Sequence, residues 1–314
     1  MYVASRTADS VFEYNLSTAW DVSTASLVQG FSVNTEEATV RGLFFKPDGL
    51  SMYVVGNTNN TVYQYSLGGF SVAAQDTVPF GLSFKLDGTK MYVVGGSGDD
   101  INEYDLSTAW DTSTASYRTN FVVNLQETAP TGVTFKPDGT KMYVIGTSGD
   151  SVFEYDLSTA WDISTANYLQ GFSVAAQDGR PYDVSFKPDG TKMYVAGINS
   201  DSVFEYDLST AWDVSTASYL QNFSVLAQLS NPTELSFKDD GTKMYVLAYS
   251  LNGVNEYDLS TAWDISTASY LQNFLVSSQE AGPYGMYFKP DGTQMFISGI
   301  GSDRVFTYSL GVQD

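Results

Sequence analysis

The sequence predicts an all-β protein: a β-propeller of seven blades, each a four-stranded antiparallel sheet, with the first and last blades incomplete. Three observations predict it. The tripeptide Met-Tyr-Val (Met-Phe-Ile in the last copy) begins at Met1, Met52, Met91, Met142, Met193, Met244 and Met295, in steps of 51, 39, 51, 51, 51 and 51 residues. Each repeat holds four runs in which apolar residues alternate, the period of a half-buried strand. No Pro/Ser-rich linker separates the repeats, so the sheets must cover one another's faces, and radial stacking does that. Residues 1–314 are read as one such domain.

The four runs, a to d, each have a local reason. Strand a alternates strictly, as in Val133 and Phe135 or Val184 and Phe186. Pro-Asp-Gly-Thr follows, as at 137–140, where proline presets φ and glycine takes the positive φ of a tight hairpin. Strand b carries Met-Tyr-Val. Strand c is Ser-Val-Phe-Glu-Tyr, as at 151–155, and strand d is Tyr-Leu-Gln-x-Phe-Ser-Val, as at 168–174. Between c and d lies Asp-Leu-Ser-Thr-Ala-Trp-Asp-x-Ser-Thr-Ala, which holds all five tryptophans, Trp20, Trp110, Trp161, Trp212 and Trp263. Its Ser, Thr and Asp side chains can bond nearby backbone amides, and its Trp is read as a plug onto the sheet. The second copy lacks this loop and runs Tyr65-Ser-Leu-Gly-Gly-Phe70. That deletion explains the short step, and a Gly-Gly hairpin is expected to join its strands c and d.

Composition excludes several chemistries. The chain has no Cys and no His, so neither thiolate chemistry nor a Ser/His/Asp or Cys/His arrangement is available. A net charge of -21 argues against nucleic acid and anionic membrane as partners. No run of 18 apolar residues predicts membrane insertion. No charged n-region and apolar h-region open the chain, so no signal peptide is read in it.

The a-to-c core, with its Pro-Asp-Gly turn, Tyr-Val strand and Val-rich third strand ending in Asp, resembles the YVTN-type propeller repeat. The tandem copies with their Ser-Thr-Ala-Trp-Asp loop are also similar to propeller repeats of marine phage and environmental bacterial proteins. That resemblance implies the fold, and relatives that include surface-layer and lactonase-like propellers; no lactonase motif transfers residue by residue.

Comparing the copies divides the loops. The a–b turns and c–d loops are nearly uniform, whereas the b–c and d–a loops differ in every copy and fall on the opposite face. All ten lysines flank the uniform a–b turn, while Arg6, Arg41, Arg180 and Arg304 fall in variable loops. The residue after the d–a proline is Phe80, Tyr182 or Tyr284 in alternate copies, with Thr131 and Thr233 between. Loops on a rigid scaffold are where binding residues usually sit, and aromatic rings with Arg are the types enriched at binding hot spots. Drift at weakly constrained positions is the alternative explanation of the variation.

The expected function is a non-enzymatic binding or structural module, extracellular or on a virion. It would recognise a glycan or protein partner through Arg6, Arg41, Phe80, Arg180, Tyr182, Tyr284 and Arg304. The alternative is a hydrolase or lactonase-like enzyme using carboxylates or calcium at the channel mouth. Glu13, Glu103, Glu154, Glu205 and Glu256 are carboxylates for such a role, although a residue repeated in five blades fits a strand-face partner of Lys or Tyr better. Asp9, Asp99, Asp100, Asp150, Asp201 and Asp303 are candidate oxygen ligands for calcium, but an Asp in a tight turn usually makes an Asx-turn. Seven b and c strands against six a and d give 26 strands. A ring in which the last repeat closes on the first would set Arg304 beside Arg6, followed by Arg41.

Overall fold

A computed structural model of the chain describes residues 1–5, 7–8, 10–18, 21–33, 39–45, 51–56, 62–66 and 69–310. Arg6, Asp9, Trp20, the turn at 46–50 and the b–c loop at 57–60 lie outside them. Among the described residues there are 26 strands, numbered here in chain order, forming seven antiparallel sheets. They gather into two compact units, Met1–Gly68 and Gly69–Asp314.

The first unit holds two three-stranded sheets. One is β1 (Tyr2–Ser5), β2 (Ser10–Leu16) and β3 (Ala25–Ser32); the other is β4 (Val40–Phe45), β5 (Ser51–Gly56) and β6 (Val62–Ser66). Val11, Val33, Val40, Met52 and Val54 form the buried cluster of this unit.

The second unit opens with β7 (Gly69–Ser71) and then repeats four strands at a time. Sheet I is β8 (Pro79–Phe84), β9 (Lys90–Gly95), β10 (Asp100–Leu106) and β11 (Ala115–Val122). Sheet II is β12 (Pro130–Phe135), β13 (Lys141–Gly146), β14 (Ser151–Leu157) and β15 (Ala166–Ser173). Sheet III is β16 (Pro181–Phe186), β17 (Lys192–Gly197), β18 (Ser202–Leu208) and β19 (Ala217–Ser224). Sheet IV is β20 (Pro232–Phe237), β21 (Lys243–Ala248), β22 (Gly253–Leu259) and β23 (Ala268–Leu275). Sheet V is β24 (Pro283–Phe288), β25 (Gln294–Gly299), β26 (Arg304–Ser309) and, as its outer strand, β7.

Two expectations are corrected here. The last sheet is not missing its outer strand, and the three-stranded sheets are those of the first and second copies. The Gly-Gly segment does not fold β7 back onto β6. Instead Ser71, Phe70 and Gly69 pair with Arg304, Val305 and Phe306. The Val72 amide then donates to the Asp303 carbonyl at 2.9 Å, as Val123 does to Asp99 and Val174 to Asp150. With the long c–d loop deleted, the chain passes from one sheet to another at this point.

Sheet V packs on sheet I. The same aromatic contact recurs at the interfaces. Tyr92 meets Phe135 at 4.4 Å, Tyr143 meets Phe186 and Tyr194 meets Phe237 at 4.5 Å, and Phe296 of sheet V meets Phe84 of sheet I at 4.5 Å. The Ser298 hydroxyl donates to the Phe80 carbonyl across that last interface at 2.7 Å. Within Gly69–Asp314, five blades thus close on themselves, each inner strand neighbouring the next.

The four described tryptophans, Trp110, Trp161, Trp212 and Trp263, act as plugs, as their loop chemistry predicts. Each stacks on the Phe of its own strand a, Trp161 on Phe135 at 5.3 Å and Trp212 on Phe186 at 5.3 Å. Each abuts the positive-φ glycine of the a–b turn, so that a Cβ on Gly139 would come within 2.2 Å of the Trp161 ring. The preceding blade's Tyr hydroxyl donates to the Trp carbonyl, Tyr92 to Trp161 at 2.7 Å and Tyr143 to Trp212 at 2.7 Å. The loop that follows is self-satisfied: Asp162 accepts from the Ser164 amide and hydroxyl, and Thr165 bonds back to the Asp162 carbonyl.

Candidate functional site

The inner strands of sheets I to V carry their variable residues to the axis of the ring. Strand alternation gives two stacked layers there. On the variable-loop face, Phe80, Tyr182 and Tyr284 come together from sheets I, III and V. Phe80 meets Tyr284 edge-on at 4.9 Å and Tyr182 at 6.1 Å, and Tyr182 stacks on Tyr284 at 5.7 Å. Tyr249, which follows β21, stacks on the other side of Tyr284 at 5.2 Å. Tyr182 is buried, and desolvation with the neighbouring Tyr284 phenol pushes its pKa up. Arg180 is exposed, and its charge acts on both phenols. Thr131 and Thr233, between the aromatics, are buried, and Thr131 donates to the Tyr182 carbonyl at 2.6 Å.

Four of the seven sequence-predicted residues, Phe80, Arg180, Tyr182 and Tyr284, therefore share one cluster. Arg304 begins β26, where its guanidinium donates to the Gly69 carbonyl at 3.1 Å and so holds the short β7. Arg41 lies in β4 of the first unit, and Arg6 lies outside the described residues.

The variable loops are held from beneath by carboxylates that the sequence reading passed over. Asp76 accepts from the amides of Val78, Ser97 and Gly98; Glu127 from those of Ala129, Ser148 and Gly149. Asp178 and Glu280 do the same work in sheets III and V. All four are buried, and each ties a d–a loop to a b–c loop. Only a buried anion with several amide donors sits comfortably there. The fifth copy has Leu229 at this position. The signal was available as Gln-Asp or Gln-Glu at the end of strand d.

One layer below the aromatics lies a second feature missed in the sequence. At the position occupied by Gly81, Gly132 and Gly285 in sheets I, II and V, sheets III and IV carry Asp183 and Glu234, 1% and 5% exposed. Asp183 accepts from the Leu235 amide of the next blade at 2.9 Å. Glu234 has a buried Oε2 with no hydrogen-bond partner among the described residues. Two adjacent carboxyls cannot both ionise in such a site. Desolvation pushes Asp183 up to about 6, and desolvation together with the Asp183 charge pushes Glu234 well above the carboxylate range. Burial thus favours the protonated form of both, and of Glu234 the more strongly. Gly132 is required opposite: a Cβ there would lie 2.7 Å from an Asp183 oxygen. Two residues further along the same strand faces, Ser185 and Ser236 line a cavity of about 490 Å³ that opens on the uniform-loop face.

The repeated glutamates prove to be strand-face partners, the second of the two readings given for them. Glu103, Glu154, Glu205 and Glu256 pair with Lys90, Lys141, Lys192 and Lys243. The second oxygens of the first three accept from the next blade, Glu103 from the Ile163 amide and Glu154 from the Val214 amide at 3.1 Å, and Glu205 from the Ile265 amide at 3.2 Å. The lysines beside the a–b turns pair with the turn aspartates, Lys85 with Asp87 and Lys136 with Asp138 at 2.7 Å. Asp99, Asp150, Asp201 and Asp303 take left-handed conformations at the b–c turns, and Asp100 accepts from Asn102 and Asn120. Among the described residues no group of three or more potential metal ligands is gathered, and no helix is long and apolar enough to cross a membrane.

No family model matches the chain, and no curated protein does. Solved structures similar to it include a functionally unknown protein from Desulfotomaculum acetoxidans, at 14% identity over 98% of this chain and 92% of that one, with a TM-score of 0.46. Two others are each described as a "putative 6-phosphogluconolactonase". The one from Bacteroides fragilis has 15% identity over 88% and 83% of the two chains, with a TM-score of 0.43. The one from Bacteroides uniformis has 14% identity over 96% and 88%, with a TM-score of 0.47.

Proposed function

We propose that the chain is a non-enzymatic binding module whose variable-loop face takes a glycan bearing an acidic group. One observation carries this reading: three aromatics from non-adjacent blades converge with Tyr249 and Arg180 into a single cluster on that face. Tyr249 is 42% exposed and stacked on Tyr284, which leaves a flat phenol for the apolar face of a sugar ring. Arg180 supplies an exposed cation for a carboxylate or sulfate. The loops that carry these groups are pinned by the Asp76, Glu127, Asp178 and Glu280 carboxylates, so little ordering cost is left for binding. A protein partner on the same cluster, and an extracellular or virion setting, belong to the same proposal and are distinguished by what binds. The test is a glycan array that includes uronic, sialylated and sulfated sugars, probed with the parent and with Arg180→Ala/Tyr249→Ala. Binding to acidic glycans, weakened at least about tenfold in the double variant, is the expected result. An array without acidic binders, or equal binding by the double variant, overturns the reading.

A further inference from the structure

The cavity of about 490 Å³ on the uniform-loop face is lined by residues from Ser83 to Gly292, so it belongs to the ring of sheets I to V and has the size of a small-molecule site. Strand alternation builds its inner wall. Two residues beyond Gly81, Gly132, Asp183, Glu234 and Gly285 stand Ser83, Thr134, Ser185, Ser236 and Tyr287. Among the described residues none of these five hydroxyls has a hydrogen-bond partner, whereas the Thr131 hydroxyl, nearer the other face, donates to the Tyr182 carbonyl. Aromatic rings complete the wall, among them Trp212, Phe237 and Trp263. The Tyr287 ring reaches from sheet V onto Phe84 and Trp110 of sheet I, at 5.2 and 6.1 Å.

Charge in this cavity is lopsided. Its two lysines, Lys238 and Lys289, each pair at 2.7 Å with a turn aspartate, Asp240 and Asp291. Where the other blades place Leu86, Pro137, Pro188 and Pro290, sheet IV places Asp239. Among the described residues Asp239 has neither a cation nor a hydrogen-bond donor. Desolvation and the Asp240 charge push its pKa up, and burial with the Asp239 charge pushes Tyr287 up. The carboxylate thus lacks a counter-ion, and its field reaches the phenol. We propose that this cavity binds a small organic ammonium ion, its charge beside Asp239, its alkyl groups against the aromatic wall and its polar substituents on the channel hydroxyls. One carboxylate among rings and hydroxyls suits an organic cation, which aromatic faces attract, better than a hard metal ion that needs six or more oxygens. An anion would find both lysines already neutralised, and a neutral ligand would desolvate Asp239 without compensation. The net charge of -21 draws cations towards the molecule. The site faces away from the aromatic cluster of Phe80, Tyr182 and Tyr284 and does not rest on the glycan reading.

The experiment is titration calorimetry of the full chain with choline and with butylammonium, against neohexyl alcohol, the uncharged carbon analogue of choline, and against pivalate. The expected result is a dissociation constant of about 1 mM or below for at least one of the two ammonium ions, with the uncharged and anionic analogues at least about tenfold weaker. Asp239→Asn and Asp239→Pro weaken ammonium binding by at least about tenfold, and Tyr287→Ser by several-fold. Proline at the first position and serine at the second already stand in sister blades, so these variants keep the fold, which far-ultraviolet circular dichroism confirms. Arg180→Ala/Tyr249→Ala, on the opposite face, leaves ammonium binding unchanged. The proposal is overturned if neither ammonium ion binds, if neohexyl alcohol binds as tightly as choline, or if Asp239→Asn binds as tightly as the parent.

Discussion

At the scale of single residues, the Asp183–Glu234 pair makes the sharpest prediction. Its protons are held more tightly in the folded chain than in the unfolded one, where carboxyls titrate near 4. As pH rises, the unfolded chain loses its protons first, so stability falls from about pH 4 through the folded value of about 6 for Asp183. The fall is on the order of 2–3 kcal/mol for the buried Asp183 step. Asp183→Asn/Glu234→Gln removes both titrating groups and should flatten thermal midpoints measured between pH 4 and 8. A parent whose midpoint is level across that range would count against the raised pKa values. The loop-pinning carboxylates predict differently: Glu127→Ala strands three amides, each orphan costing about 1–3 kcal/mol if water does not enter. Chemical denaturation should show a loss of at least about 2 kcal/mol. Neither group was legible in the periodicity, because a pattern of alternating apolar residues is blind to which polar residue fills a gap. Asp183 and Glu234 appear only when glycine positions are compared copy by copy, and the meaning of the pair depends on burial that only the closed ring supplies.

At the scale of elements, the a–b turn offers an internally controlled comparison. Gly139 and Gly292 share nearly the same φ, 72° and 71°, so replacing either with Ala imposes the same left-handed strain of about 1–2 kcal/mol. At Gly139 the new Cβ also meets the Trp161 indole, and overpacking adds about 1–3 kcal/mol. Gly139→Ala should therefore lower the urea midpoint more than Gly292→Ala; equal losses would mean that the indole yields freely. The turns and all four strand types were readable because proline, glycine and strict alternation each act within a few residues. The position of β7 was not. Three residues, Gly69 to Ser71, fit a hairpin with β6 and an outer edge beside β26 equally well, and the choice is made by partners more than 230 residues away. The strand inventory was thus right, while the pairing of its shortest member was decided by ring closure. Among the candidate ligand residues, those beside the d–a prolines were found because the inner strand fixes where they point. The grouping of Arg304 with Arg6 rests on where the ring closes, and Arg6 lies outside the described residues.

At the scale of the whole molecule, the distribution of charge and the closure of the ring lead to separate expectations. The turn aspartates Asp87, Asp138 and Asp189 are held down to about 2 against the desolvation that burial imposes, by hydrogen bonds from Lys85, Lys136 and Lys187 and from the turn threonines. Their contribution is present above pH 4 and is lost as pH falls through 2, opposite in sign to that of the axial pair. Closure carries the further consequence. Every interface of sheets I to V, including V on I, is made from residues 69–310, and β7 completes the last blade without help from residues 1–68. A ring closed by an outer strand from its own N-terminal end leaves no blade face of that ring without a neighbour. A chain of residues 69–314 should therefore fold alone and unfold in one cooperative transition, followed by circular dichroism and tryptophan fluorescence together. Starting the chain at residue 73 instead removes the strand that pairs with Arg304, Val305 and Phe306 and the Phe70 ring that meets Tyr104 at 5.4 Å. Losing that buried contact and its ladder should lower stability by at least about 3 kcal/mol. If residues 69–314 aggregate or unfold non-cooperatively, while the full chain does neither, the ring draws stability from the first two repeats and its closure at β7 is not the decisive one.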